Sequence, residues 1–99
     1  MTIKQYSNFD DEDLVKIFKA LADPVRLNIL RILSKRDTEL SCGEIGELLN
    51  MSKSAVSYHF KTLREAGLTI TRKSGQNKFV RLNHDTIESV SLTSLINNL

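Results

Sequence analysis

Apolar side chains recur at every third or fourth position through most of the chain, which is the spacing of amphipathic helices. The clearest helix is predicted over residues 52–67, because Ser52 can accept from a first-turn amide and Gly67 can adopt the left-handed turn after a helix. Its apolar stripe consists of Val56, Phe60 and Leu63, flanked by Ala55 and Ala66. Its opposite face is polar and consists of Ser54, Ser57, Tyr58 and Lys61, with Glu65 at the end.

Residues 68–82 follow this helix directly and alternate in a way that predicts a β-hairpin. The sequence Ser-Gly-Gln-Asn at residues 74–77 marks the turn, since Gly and Asn tolerate positive φ. A shorter helix over residues 41–49 precedes the longer one, with Asn50 and Met51 between them. This order predicts a winged helix-turn-helix, which is a mainly α fold with a small β-hairpin. We expect about five helices plus a two-stranded wing, in one domain over residues 1–99.

Two further helices are predicted before this unit. The acidic run at residues 10–13 heads the first, because negative charge favours a helix N-terminus. Asp23 and Pro24 supply a cap and a first helical position for the second. We expect its apolar residues to form a buried spine: Val25, Leu27, Ile29, Leu30, Ile32 and Leu33. Residues 34–40 are expected to form a polar loop.

Two capping boxes, each a hydroxyl or carboxylate residue followed three positions later by Glu, are predicted in the remaining helices. Ser41 and Glu44 open the short helix, whose inward positions are expected to be Ile45, Leu48 and Leu49. Asp85 and Glu88 repeat the pattern at the start of a last helix that continues to the C-terminus.

Positive charge is concentrated in the predicted longer helix and wing. Residues 51–82 hold seven basic side chains against Glu65 alone, although the whole chain carries a formal charge of only +2. Such a concentration indicates binding to a polyanion. The alternative is a solvated basic hairpin without a partner.

Three motifs resemble one known family. Residues 21–30, Leu-Ala-Asp-Pro-Val-Arg-Leu-Asn-Ile-Leu, resemble the opening helix of the ArsR family of small bacterial repressors. Residues 52–60 resemble its recognition helix, and Ala66-Gly67-Leu68 with the basic hairpin resembles its wing. The resemblance implies a DNA-binding homodimer that represses transcription and is released from double-stranded operator DNA by an unknown effector.

The resemblance and the polar face together give the expected DNA contacts. Phosphate contacts are expected from Lys53, Lys61, Arg72, Lys73 and Lys78. Base contacts are expected from Ser54, Ser57 and Tyr58, with Ser52 at the start of the same helix. His59 has two open interpretations, a packing or hydrogen-bonding histidine and a base contact.

The terminal helices carry more apolar residues than the surface of a small monomer needs. In the ArsR family these helices form the dimer, so the expected interface comprises Leu14, Ile17, Phe18, Ile87, Val90, Leu95 and Ile96. The alternative is that both helices complete the core of a single chain.

Metal, redox and enzymatic functions receive little support. Thiol sensors of the family carry paired cysteines at the positions where this chain has Ser41 and Gly43. Cys42 lies alone between them, and one thiolate does not form a soft-metal site. No metal or other cofactor is therefore expected, and Cys42 is interpreted as a small residue at a helix start or as a redox switch. No nucleophile–base pair or phosphate loop indicates an enzyme.

The single cysteine and the lack of an apolar segment long enough to cross a membrane predict a cytoplasmic protein. The remaining alternative for its function is a winged helix that binds an acidic protein partner and no operator.

Overall fold

The computed structural model describes residues 10–36 and 38–89, which form helices and one small antiparallel sheet. In chain order the elements are α1 (Asp11–Leu21), α2 (Pro24–Arg36), β1 (Leu40–Ser41), α3 (Cys42–Leu49), α4 (Lys53–Glu65), β2 (Thr69–Ser74), β3 (Asn77–Leu82) and α5 (His84–Ser89). The sheet order is β1-β3-β2. The winged helix-turn-helix prediction is therefore confirmed, with α3 and α4 as the two central helices and β2–β3 as the wing. None of the helices in these described residues is long and apolar enough to cross a membrane.

The helix starts follow the predicted capping chemistry, with one exception. Asp10 and Asp13 form a reciprocal capping box at α1, and Ser41 and Glu44 form another at α3. Asp23 accepts from the amides of residues 25 and 26 at 2.8 and 3.0 Å and so caps α2. The box predicted at Asp85 is wrong, because the Asn83 side chain accepts from the amide of Thr86 and α5 begins at His84, two residues earlier than a cap at Asp85 would place it.

The turns on both sides of α4 use backbone conformations that few residues adopt. Asn50 has φ of 53° at the end of α3, and Gly67 has φ of 80° after α4. A Cβ atom on Gly46 would lie 3.1 Å from the backbone oxygen of Met51. The turn between α3 and α4 is therefore tight because α3 has a glycine where the chain folds back on it.

The wing has the predicted turn, but the sheet has an additional strand. Ser74 pairs with Asn77 around Gly75, whose φ is 63°. Leu40 and Ser41 form β1 and pair with Val80 and Phe79 of β3. The polar loop predicted over residues 34–40 is thus shorter, since α2 continues to Arg36 and Leu40 joins the sheet. A strand of two residues has no periodicity that would reveal it in a sequence.

The core lies between the helices and the inner face of the sheet. The apolar stripe predicted for α4 is confirmed, since its three residues Val56, Phe60 and Leu63 are at most 3% exposed. Two predicted core positions are wrong: Leu27 is 36% exposed and Leu48 is 50% exposed. In each helix the buried side is defined by other residues, Ile29 and Leu33 in α2 and Ile45 and Gly46 in α3. Leu27 and Leu48 lie beyond the edges of those stripes.

Helix α1 presents an apolar surface that the described part of the chain does not cover. Ile17 is 1% exposed and belongs to the core of the single chain, so it offers no surface to a partner, contrary to the predicted interface. Phe18 and Val15 are about half exposed on another side of α1, and Leu14 is half-buried. Ile87 packs against the core. The predicted interface residues Val90, Leu95 and Ile96 lie outside the described residues.

Candidate nucleic-acid interface

The polar face of α4 is open to solvent along its whole length. Ser54, Ser57 and Lys61 are exposed, and Tyr58 is 64% exposed. This follows from the helical repeat, because the apolar stripe faces the core and turns the polar residues outward. Ser52 is also exposed, but its hydroxyl accepts from the amide of Ala55 at 3.2 Å and so acts as the N-cap of α4.

The wing lysines lie on the side of the sheet that faces the helices. Lys73 and Lys78 are paired directly across β2 and β3, two positions from the pair formed by Thr71 and the buried Val80. Residues two apart along a strand share a face, so both lysines belong to the inner face of the hairpin where it extends beyond the core. Like charges opposite each other destabilise a hairpin. An anion bound there would remove that cost.

We use the name wing groove for a depression of about 230 Å³ between the starts of α3 and α4 and the tip of the wing. It is lined by Ser41, Cys42, Gly43, Lys53, Ser57, Gln76, Asn77 and Lys78. Two amino groups from different elements and two helix N-termini therefore surround one space. Helix N-termini favour negative charge, so this geometry suits a phosphate group.

Arg72 differs from the other predicted phosphate contacts, because its charge is paired within the protein. Its guanidinium forms two hydrogen bonds with the Glu39 carboxylate, one of them 3.2 Å long, and lies 4.7 Å from the centre of the Phe79 ring. The hydrogen bond from Arg72 lowers the pKa of the Glu39 carboxyl. Arg72 alternates with Lys73 along β2 and so belongs to the outer face of the sheet. The phosphate contact predicted for Arg72 would require breaking this pair.

His59 is a hydrogen-bonding residue in this structure. It is half-buried, and its Nδ1 atom lies 3.2 Å from Nη1 of Arg26. Because arginine can only donate, Nδ1 accepts and Nε2 carries the hydrogen. The ring also contacts Tyr58 edge-on, with centroids 5.3 Å apart. The structure therefore shows the contacts expected of a packing and hydrogen-bonding histidine.

Arg26 was not among the residues singled out from the sequence. Its side chain is 11% exposed, donates to the carbonyls of Ala20 and Lys19 at 2.7 and 3.3 Å, and lies 3.8 Å from the Asp23 carboxylate. It therefore joins the end of α1, the start of α2 and, through His59, helix α4. The sequence feature that could have indicated its role is a charged residue in an otherwise apolar helix, two positions after Pro24. The backbone hydrogen bond from Arg26 lowers the pKa of Asp23.

Cys42 is the first residue of α3 and is half-buried in the wing groove. Burial raises the pKa of its thiol, and this effect exceeds the opposite influence of Lys78 and Lys53. The reactive thiolate is therefore disfavoured, which weakens the redox interpretation. Among the described residues, no three His, Cys, Asp or Glu side chains lie together as a metal site would require.

The comparisons with known proteins agree with this geometry. A helix-turn-helix domain family matches residues 21–72, from the end of α1 to β2. An HTH-type transcriptional regulator of Bacillus subtilis, YceK, is 54% identical over 89 residues, which are 90% of this chain and 86% of the relative. The arsenical resistance operon repressor of Staphylococcus xylosus is 35% identical over 80 residues, which are 81% of this chain and 75% of the repressor.

The chain belongs to the ArsR family of transcriptional regulators. The transcriptional activator HlyU of Vibrio cholerae is a further relative, 41% identical over 77% of this chain and 68% of its own. The solved structure of HlyU covers 85% of this chain and 91% of its own, with a TM-score of 0.67. This ArsR-family chain is thus a DNA-binding transcriptional regulator, and α4 corresponds to the recognition helix of its helix-turn-helix.

Proposed function

We propose that this regulator is a homodimeric repressor that inserts α4 into the major groove of operator DNA and places its wing along the phosphate backbone. The observation that carries the proposal is the shared orientation of two surfaces. The exposed polar face of α4 and the lysines of the wing groove lie on the same side of the protein, and Ser57 belongs to both. One duplex can therefore contact both surfaces at once.

The proposal assigns different tasks to the two surfaces. Lys53 and Lys78 in the wing groove, together with Lys73 and Lys61, neutralise phosphates, which gives affinity without regard to sequence. Ser54, Ser57 and Tyr58 contact base edges, which gives specificity. Arg72 and His59 support these surfaces through Glu39 and Arg26, and Ser52 supports them by capping α4.

The dimer in this proposal uses the exposed apolar side of α1. Phe18 is 50% exposed and Val15 49%, on a helix whose other sides are either core or charged. Burying such large side chains against the same surface of a second copy gives a two-fold dimer. A two-fold dimer presents two copies of α4 to two half-sites of a palindromic operator.

Direct binding measurements test the proposal. The protein is titrated with the DNA upstream of its own gene and with a scrambled duplex, at several salt concentrations. We expect tighter binding to the upstream DNA and a linear loss of affinity with the logarithm of salt for both duplexes. No binding to either duplex, together with capture of an acidic protein, would support the protein-partner alternative.

Repression is tested separately, because the relatives include both a repressor and an activator by name. A reporter placed behind the upstream DNA is measured with and without the gene. We expect higher expression without the protein, and lower expression would identify an activator instead.

A further inference from the structure

A second concave surface lies away from the wing groove, between α1, the start of α2 and α4. We call it the α1–α4 cleft. Its volume is about 550 Å³, within the roughly 300–1,000 Å³ of sites that hold small molecules. Three basic side chains, Lys16, Lys19 and Arg26, line it against one carboxylate, Glu65. Arg26 is also paired with Asp23 at 3.8 Å, so the positive excess over Glu65 comes from the two lysines. That excess favours an anionic ligand.

Arg26 gives this cleft a fixed group with unused donors. Its hydrogen bonds to Ala20, Lys19 and His59 use three of its five N–H groups. The other two have no hydrogen-bond partner among residues 10–36 and 38–89, and the nearest carboxylate, that of Asp23, lies 3.8 Å from Nη1. Its position is fixed from three helices, so an acceptor that enters the cleft meets a guanidinium that is already oriented. A planar carboxylate is the ligand group that such a guanidinium binds best.

The remaining walls of the cleft are suited to an apolar body. Ala66 supplies a small apolar surface, and the ring of Tyr58 supplies an aromatic one, while Ala20 lies buried behind them. An aromatic ligand can pack against the face or edge of the tyrosine ring while its carboxylate reaches the basic side. The cleft thus offers a basic side for the carboxylate of a ligand and an aromatic wall for its ring.

Tyr58 connects this cleft with the recognition surface. It lines the cleft and also lies on the exposed face of α4, to which we assign base contacts. A ligand that holds the ring against the cleft removes it from the duplex, and its negative charge adds repulsion toward nearby phosphates. The two binding events therefore oppose each other, and linkage makes the effect reciprocal.

We propose that the α1–α4 cleft binds a small aromatic carboxylate and that this binding weakens the operator complex. The effect on DNA rests on the proposed function, whereas binding of the ligand does not. The two parts are therefore tested separately, the first of them in the absence of DNA.

The first test uses 2-naphthoate as the probe and follows the full-length protein by ¹H–¹⁵N NMR. We expect saturable shifts of the amides of Ala20, Thr62 and Ala66 and of the Nε–H signal of Arg26. The uncharged 2-naphthylmethanol is the control ligand and is expected to bind at least tenfold more weakly. No saturable shift at millimolar naphthoate, or equal binding of the alcohol, would overturn the site.

A pair of variants locates the site. Lys16→Gln with Lys19→Gln should weaken naphthoate binding at least tenfold, because the cleft loses two of its three cations. The matched control is Arg31→Gln with Lys35→Gln, two exposed basic residues of α2 away from this cleft. Equal loss in both double variants would show a general charge effect and overturn the assignment.

The second test measures operator affinity with saturating naphthoate against sodium chloride of equal ionic strength. We expect at least a fivefold loss in the wild type and none in the Lys16→Gln, Lys19→Gln variant. An unchanged operator affinity would overturn the coupling even if naphthoate binds. If the variant instead lowers the salt dependence of DNA binding without any naphthoate, the cleft contacts the DNA backbone and the proposal is wrong.

Discussion

Arg72 and Glu39 are 33 positions apart in the chain and joined by two hydrogen bonds across the outer face of the sheet. Arg72 extends from β2 over the Phe79 ring of β3 to reach Glu39, which directly precedes β1. The pair therefore spans all three strands and fixes the base of the wing. It also distinguishes Arg72, whose charge is paired within the protein, from Lys73 and Lys78 on the inner face of the wing.

This separation predicts unequal effects on DNA binding. Replacing Lys73 and Lys78 by Ala should weaken binding to operator and random DNA alike and flatten the salt dependence by about one unit of slope per lost phosphate contact. The matched control is Glu39→Gln with Arg72→Gln, which removes an internally neutralised pair and leaves the net charge unchanged. We expect its salt slope to equal that of the wild type. Titrations at four salt concentrations decide the matter, and a flattened slope in the control would place Arg72 on the phosphate backbone.

Tyr58→Ala should reduce specificity and leave general affinity intact. Its side chain is 64% exposed, so the variant should fold, and a good direct contact with a base contributes about 1–3 kcal/mol of discrimination. We expect weaker operator binding with almost unchanged random-sequence binding and salt slope. Equal weakening on both duplexes would mean that α4 docks with another face.

Phe18→Asp should produce a monomer, because it places a charge on the exposed apolar side of α1 that we assign to the dimer. Sedimentation at micromolar concentration is expected to give a dimer for the wild type and a monomer for the variant. Lys35→Asp, an exposed position on α2, serves as the control and should remain dimeric. A monomeric wild type would remove the basis for the proposed two-fold arrangement on DNA.

Arg26→Gln should destabilise the fold, since it removes donors from two carbonyls at the end of α1 and from His59 on α4. Loss of a largely buried charged donor from its partners costs about 2–3 kcal/mol in the free energy of unfolding. Arg26→Lys should not restore it, because an ammonium group lacks the planar arrangement of donors. Urea unfolding measures both variants, and full stability of the lysine variant would show that only the charge matters.

Thr69→Val should instead stabilise the fold. Thr69 is 3% exposed, and its hydroxyl has no hydrogen-bond partner in the described part of the chain. Valine has nearly the same shape and removes the unsatisfied group, so we expect the free energy of unfolding to rise by about 1 kcal/mol. Thr62→Val is the control, because that hydroxyl donates to the carbonyl of Tyr58 at 3.2 Å. A destabilised Thr69→Val variant would indicate that the hydroxyl is hydrogen-bonded.

The features predicted correctly from the sequence are those set by neighbouring residues. The acidic start of α1, the caps at Ser41 and Ser52, the stripe on α4 and the turn at Gly75 each depend on residues within one or two turns of chain. The periodic pattern also identified which face of α4 is exposed. These features order the exposed face of α4, and so the fold and the exposure of that face followed from local rules.

The features that were missed depend on residues far apart in the chain. Arg26 meets His59 across 33 positions, and Arg72 meets Glu39 across the same separation. No local pattern tells whether a basic residue is paired in the fold or free to bind phosphate. Strand β1 is likewise defined only by its partner β3, and the buried position of Gly46 in α3 is set by the turn that follows it.

The short strand β1 has a consequence for the kind of duplex that this regulator accepts. Ser41 ends β1, pairs with Phe79 of the wing and at the same time caps α3. Ser41 therefore joins the sheet to α3 without an intervening loop, and only residues 66–68 separate α4 from β2. The distance from the wing tip to α4 is set by this junction, so the protein has little freedom to follow variations in groove width. The DNA must therefore bend or narrow to fit the distance between α4 and the wing. We expect sequences that deform easily between these two contacts to be preferred, even where no side chain touches a base.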